Sequence, residues 1–116
     1  MDNKELKKAF KKLKDVFFFL SDPNINFGWG ADDGIPRNKI FIGRRGAPRP
    51  DITLTPYDIE RVECTKPGLF KAGILTVVGV DGTVLYAAPF KDKSNIKSVD
   101  KFNECLALYK QYNLGK

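Results

Sequence analysis

Asp51-Ile52-Thr53-Leu54-Thr55-Pro56-Tyr57-Asp58-Ile59-Glu60-Arg61-Val62-Glu63-Cys64-Thr65 is the stretch that decides the fold class. Ile52 and Leu54 alternate with polar neighbours, as a half-buried strand over residues 51–55 requires. Thr55-Pro56-Tyr57-Asp58 makes a turn, and residues 59–65 follow as a second strand. Val62 and Cys64 of that strand point to one face, with Glu60, Arg61 and Glu63 mostly outside.

Toward the C-terminus, Lys66-Pro67-Gly68 breaks the strand, and a nearly continuous apolar run starts at Gly73 and reaches Val80. Asp81-Gly82 is the strongest hairpin signal in the chain, and Thr83 to Ala88 is the returning strand. Both strands read as central. Ser98 is placed to cap a last helix, with Asp100 in its first turn where the helix dipole favours negative charge. Val99, Phe102, Cys105, Leu106, Tyr109 and Tyr112 form the inward face of that helix.

Toward the N-terminus, Ile40 and Ile42 mark a half-buried strand over residues 39–43, followed by the turn-rich loop Arg44-Arg45-Gly46-Ala47-Pro48-Arg49-Pro50. Residues 24–38 read as irregular, with glycines at 28, 30 and 34, the acidic pair Asp32-Asp33 and a short strand at Ile25 to Trp29. Ahead of them the periodicity predicts one helix from Lys4 to Leu20, its stripe formed by Leu6, Phe10, Leu13, Phe17 and Leu20 with Ala9 and Val16. Lys4, Lys7, Lys8, Lys11, Lys12 and Lys14 cover the rest, and Ser21-Asp22-Pro23 ends it.

The 116 residues suit one domain with a core of its own, divided into a basic amphipathic helix at 1–22 and a β-rich body at 23–116. Twenty Lys and Arg against fourteen Asp and Glu leave a net charge of +6, which favours acidic partners. The lysine-filled N-terminus lacks the features of a secretory signal, no run is apolar for long enough to span a bilayer, and a cytoplasmic location is expected. No histidine is present, which removes histidine-based general-base catalysis and the commonest metal ligand. Cys64 and Cys105 sit at apolar positions without metal-ligand spacing and read as reduced core thiols. No enzyme activity, metal or small-molecule cofactor is expected.

The run Ile52-Thr53-Leu54-Thr55-Pro56-Tyr57-Asp58-Ile59-Glu60-Arg61-Val62, then Lys66-Pro67-Gly68-Leu69-Phe70, Gly73-Ile74-Leu75 and the Asp100-Lys101-Phe102 helix, resembles bacterial pleckstrin-homology-like domains over residues 39–112. The resemblance implies an α+β fold. It would be a small antiparallel β-barrel or sandwich of two orthogonal sheets, closed at one end by the C-terminal helix, with the N-terminal amphipathic helix as an addition. It also implies a binding scaffold without inherited catalytic residues. The basic pattern of eukaryotic phosphoinositide sites is only loosely echoed, by Lys39, Arg44 and Arg45.

Three sets of residues are candidates for partner contact. Lys7, Lys8, Lys11 and Lys12 suit an anionic membrane, an acidic protein or a phosphate backbone, or simply a solvated helix face. Arg44, Arg45 and Arg49 can grip phosphates or carboxylates, or keep an edge loop soluble, with Asp51, Asp32 or Asp33 as local neutralisers. Phe27, Trp29, Tyr57 and Phe70 fall in predicted turns; Phe27 and Tyr57 are expected to cap the barrel end, and Trp29, between two glycines, is a contact candidate. The favoured function is a noncatalytic module docking on an acidic protein or nucleoprotein partner. In one version it is a phage or mobile-element protein that blocks a host defence complex. The alternative is direct binding of anionic lipid or nucleic acid through the basic helix and the Arg-rich loop.

Overall fold

The computed structural model describes residues 3–10, 18–21, 24–32, 35–66, 68, 72–91 and 95–112. In chain order these form α1 (Asn3–Phe10), β1 (Phe18–Ser21), β2 (Ile25–Asp32), β3 (Ile35–Arg44), β4 (Ile52–Leu54), a 3₁₀ turn (Pro56–Asp58), β5 (Ile59–Cys64), β6 (Gly73–Gly79), β7 (Val84–Phe90) and α2 (Asn95–Gln111). The strands make two antiparallel meanders, β1-β2-β3-β4 and β5-β6-β7. The architecture is α+β.

Sheet position follows from side-chain alternation. Ile25, Phe27 and Trp29 of β2 and Ile40 and Ile42 of β3 are buried on one face, with Phe27 opposite Ile42 and Trp29 opposite Ile40. Ile52 and Leu54 of β4 lie opposite Ile42 and Ile40 and extend that face. In β5 the buried residues are Ile59 and Val62, three apart, because the register shifts between Ile59 and Arg61 and returns both to the core side. Leu75 and Val77 of β6 and Phe90 of β7 complete the second inner face. Val99, Phe102, Cys105, Leu106 and Tyr109 of α2 and Phe10 of α1 join both sheets in one hydrophobic cluster.

Aromatic packing seats α2. Phe102 meets Phe27 edge-on at 4.9 Å between ring centroids and Trp29 at 5.4 Å, and Tyr109 meets Trp29 at 5.5 Å and Tyr57 at 5.8 Å. Such pairs each add about 0.5–1.5 kcal/mol beyond the area they bury. The Tyr109 hydroxyl donates to Asn38 Oδ1 at 3.0 Å, so the polar tip of a buried ring keeps a partner.

The two edges of the three-stranded sheet are protected differently. At β5, the Asn103 side chain of α2 acts as a missing strand: Val62 N–H donates to its Oδ1 and its Nδ2 donates to Val62 O, both at 2.9 Å. Lys110 Nζ donates to the Ile59 carbonyl beside it. At β7, Pro89 lies opposite Ile74, whose N–H and carbonyl both engage Thr65 on the β5 side. The position without an N–H therefore faces outward, where a proline costs the ladder nothing and denies a donor to an incoming strand.

Several expectations are corrected. Phe18–Ser21 is a strand paired with β2, so no single helix runs from Lys4 to Leu20, and the sheet begins inside the segment assigned to that helix. A stripe with apolar residues at both helical and alternate spacing is ambiguous over four residues, and pairing with β2 decides it. The irregular stretch 24–38 is instead mostly the two strands β2 and β3, because Gly28 and Gly30 occupy outward positions between inward Phe27 and Trp29. β7 pairs only with β6 among the described residues and is an edge strand rather than a central one; Val84 is 61% exposed. α2 starts at Asn95, so Ser98 lies inside its first turn and does not precede it.

Candidate macromolecule-binding surface

The Arg-rich loop between β3 and β4 is tied at both ends. Its first turn closes with Ala47 N–H on the Arg44 carbonyl at 3.2 Å, and Gly46 there has φ 85°, a conformation that side chains disfavour. Its return crosses Gly43 so closely that a Cβ at that position would fall 2.7 Å from the Asp51 nitrogen. Asp51 Oδ2 accepts from Arg44 N–H at 3.2 Å and from the Tyr86 hydroxyl at 3.0 Å, and lies 3.5 Å from Arg44 Nε. Arg45 N–H donates to the Asn24 carbonyl at 3.1 Å, which joins the loop to the β1–β2 connection.

The carboxylate of Asp51 is the organising group. Burial pushes the Tyr86 phenol up, and the hydrogen bond to Asp51 and its negative charge push the same way, against an opposing effect of Arg44. The phenol therefore stays protonated and donating across the neutral range. Arg44 is 78% exposed and its ion pair is worth at most about 1 kcal/mol. The pairing matters more for shape: it commits Arg44 to the loop base. The side chains of Arg45 and Arg49 remain exposed, and no hydrogen bond or ion pair of either guanidinium is found among the described residues.

The remaining sequence candidates separate. Trp29 is fully buried, packs on Phe102 and Tyr109 and donates Nε1–H to the Arg37 carbonyl, so it is withdrawn as a surface contact. Its flanking glycines suggested exposure, but they lie on the outer face of β2 while the indole fills the inner one. Phe27 is likewise a core residue of β2, and Tyr57 is half-buried on the 3₁₀ turn against Tyr109. Lys8 is exposed on α1, whose described packing is against β3 and α2. Lys11, Lys12 and Phe70, and the side chain of Lys7, lie outside the described residues.

Two surface features escaped sequence reading. Tyr86 holds Asp51 from 35 residues away, and only folding brings them together. Phe41 is 40% exposed on the outer face of the four-stranded sheet, directly between Gly28 and Thr53. Alternation with buried Ile40 and Ile42 carried that signal. On the three-stranded sheet, Ile74 is 49% exposed opposite Pro89, with the Arg61–Glu63 ion pair on the same outer face.

Cys64 and Cys105 are both free. Burial pushes the Cys105 thiol up to about 12, and burial, then the charge of Asp100, raises that of Cys64. Among the described residues no group of three or more His, Cys, Asp or Glu could hold a metal ion, and no helix is long and apolar enough to cross a membrane. No family model, curated protein or solved structure matches the chain.

Proposed function

We propose that this protein is a noncatalytic docking module that engages an acidic protein or nucleoprotein partner through the rim bearing Arg45 and Arg49. The observation that carries the reading is the division of labour in the loop: Arg44 is held by Asp51, while Arg45 and Arg49 project from the same braced backbone into solvent. A loop ordered before binding loses less entropy on contact, and guanidinium groups are well suited to bidentate carboxylate or phosphate recognition. The net charge of +6 adds long-range attraction for an acidic partner.

A noncatalytic role is supported by the thiols, whose raised pKa values are the reverse of what an activated nucleophile needs. The scaffold in this reading is a pleckstrin-homology-like domain in a cytoplasmic protein. It is supported by a four-strand meander, then a three-strand meander, then a terminal helix with Phe102 in the core.

The test is a tagged chain used to capture acidic partners from a bacterial lysate, compared with R45E/R49E. The variant is expected to lose at least about tenfold in affinity for the captured partner, measured after its purification, with an unchanged melting curve. Equal affinity of the two proteins would remove the loop from the binding surface.

A further inference from the structure

We infer that the outer face of the four-stranded sheet is a stacking platform for single-stranded nucleic acid, with Phe41 as the base-stacking residue. The inference extends the docking reading, on which it rests only in taking the Arg45–Arg49 loop as one end of the track.

The face is assembled by β2, β3 and β4. Between the paired residues Trp29/Ile40 and Ala31/Pro36, β3 carries Arg37, Asn38 and Lys39 opposite the single residue Gly30. Asn38 turns inward to Tyr109, and the Arg37 side chain lies over Gly30, within 3.5 Å of where a Cβ there would sit. Lys39 precedes inward Ile40 and is exposed. Next along the strand comes Phe41, flanked by Gly28 on one neighbour and Thr53 on the other. Beyond Gly43 the strand ends in the Arg-rich loop.

An exposed phenylalanine on a sheet can be a packing accident, but three features set this one apart. Its partner on the neighbouring strand, Gly28, bears no side chain of its own. Cations stand on both sides along the strand, Arg37 and Lys39 before Phe41 and Arg45 and Arg49 after it. From Lys39 to Arg45 is about 20 Å at the rise of a strand. Asp51, the acidic residue at the loop end of this track, is already engaged by Arg44 and Tyr86. A positively charged path with an aromatic in its middle matches a polymer that alternates phosphate charge with planar bases. A duplex hides its base faces, and an acidic peptide does not carry a charge and a planar ring in every repeat unit, so a single strand is the occupant that uses every part of the surface.

The experiment is fluorescence anisotropy of a labelled oligo-dT of about 15 nucleotides, titrated with the full chain between about 50 and 200 mM salt. Saturable binding is expected, with oligo-U within a few-fold, since the contacts are to phosphates and base faces. A blunt duplex of the same length should bind more weakly. Phe41→Ala is expected to weaken oligo-dT binding about 5- to 100-fold, the effect of losing one stacked base. Lys39→Gln should reduce the slope of log K against log salt by about 0.7, the value for one phosphate contact on a single strand. Melting curves of both variants should match the parent.

Absence of saturable binding, or Phe41→Ala binding as tightly as the parent, would overturn the platform. If R45E/R49E releases an acidic protein while oligo-dT is never bound, the platform fails and the docking loop stands. If Phe41→Ala weakens oligo-dT and R45E/R49E changes nothing, the platform stands and the loop is not part of either surface.

Discussion

Asn103 offers the sharpest test of how the helix and the three-stranded sheet hold together. Its amide makes two hydrogen bonds of 2.9 Å to the backbone of a single residue, Val62, on the otherwise open edge of β5. Asn103→Ala removes both bonds and leaves a donor and an acceptor on a half-buried strand edge. At about 0.5–1.5 kcal/mol per bond, the loss is about 1–3 kcal/mol, and incomplete access of water to the orphaned groups moves it to the upper half of that range. For a domain of this size the melting temperature should fall by about 5–12 °C. Asn103→Asp separates the two bonds: a carboxylate still accepts from Val62 N–H but turns an oxygen toward the Val62 carbonyl. It should therefore be at least as damaging as alanine at neutral pH and recover partly when the carboxylate is protonated, near pH 4. Urea unfolding followed by circular dichroism measures both variants, and concentration-dependent light scattering reports whether the uncovered edge pairs with other chains. Asn103→Ala within about 0.5 kcal/mol of the parent, with no added self-association, would refute the idea that α2 stands in for a strand.

Two further outcomes follow from the core. Phe102→Ala removes a ring packed on both Phe27 and Trp29 and should cost about 3–5 kcal/mol in urea unfolding; a loss below about 1.5 kcal/mol would mean the helix does not anchor the four-stranded sheet. On the alkaline side, burial and the neighbouring Tyr57 push the Tyr109 phenol up to about 12, and burial pushes the Cys105 thiol to about 12. Both folded values lie above those of the unfolded chain, about 10 and 8.5, so this stabilisation is complete below about pH 8.5 and is lost as pH rises toward 12. Unfolding free energy should decline through that window, and Cys105→Ala should flatten its first part; an unchanged profile in that variant would contradict the assignment.

Legibility of the fold tracked the range of the interactions that set it. Ile40 with Ile42, Ile52 with Leu54, the Asp81-Gly82 turn and the α2 face from Val99 to Tyr109 were readable because each reflects a local period or a local backbone demand. The Arg-rich loop was readable as a loop, and Asp51 as a neighbour able to neutralise it. Its bracing by Tyr86 was not, since no pattern links a hydroxyl to a carboxylate 35 residues away.

Trp29 and Phe41 show where local pattern stops. Both are aromatic residues on paired strands, and the amino-acid string alone left the tryptophan open between capping the barrel and contacting a partner and passed over the phenylalanine. Composition, the absence of histidine, most strand positions and the C-terminal helix were determined by the sequence by itself. The depth of each aromatic, the change from helix to strand at Phe18 and the covering of β5 by Asn103 were decided only in the tertiary structure. The physical reason is that burial is a property of a face. Which face of a strand becomes interior is settled by what packs against it, and the rings of Phe102 and Tyr109 come from the far end of the chain.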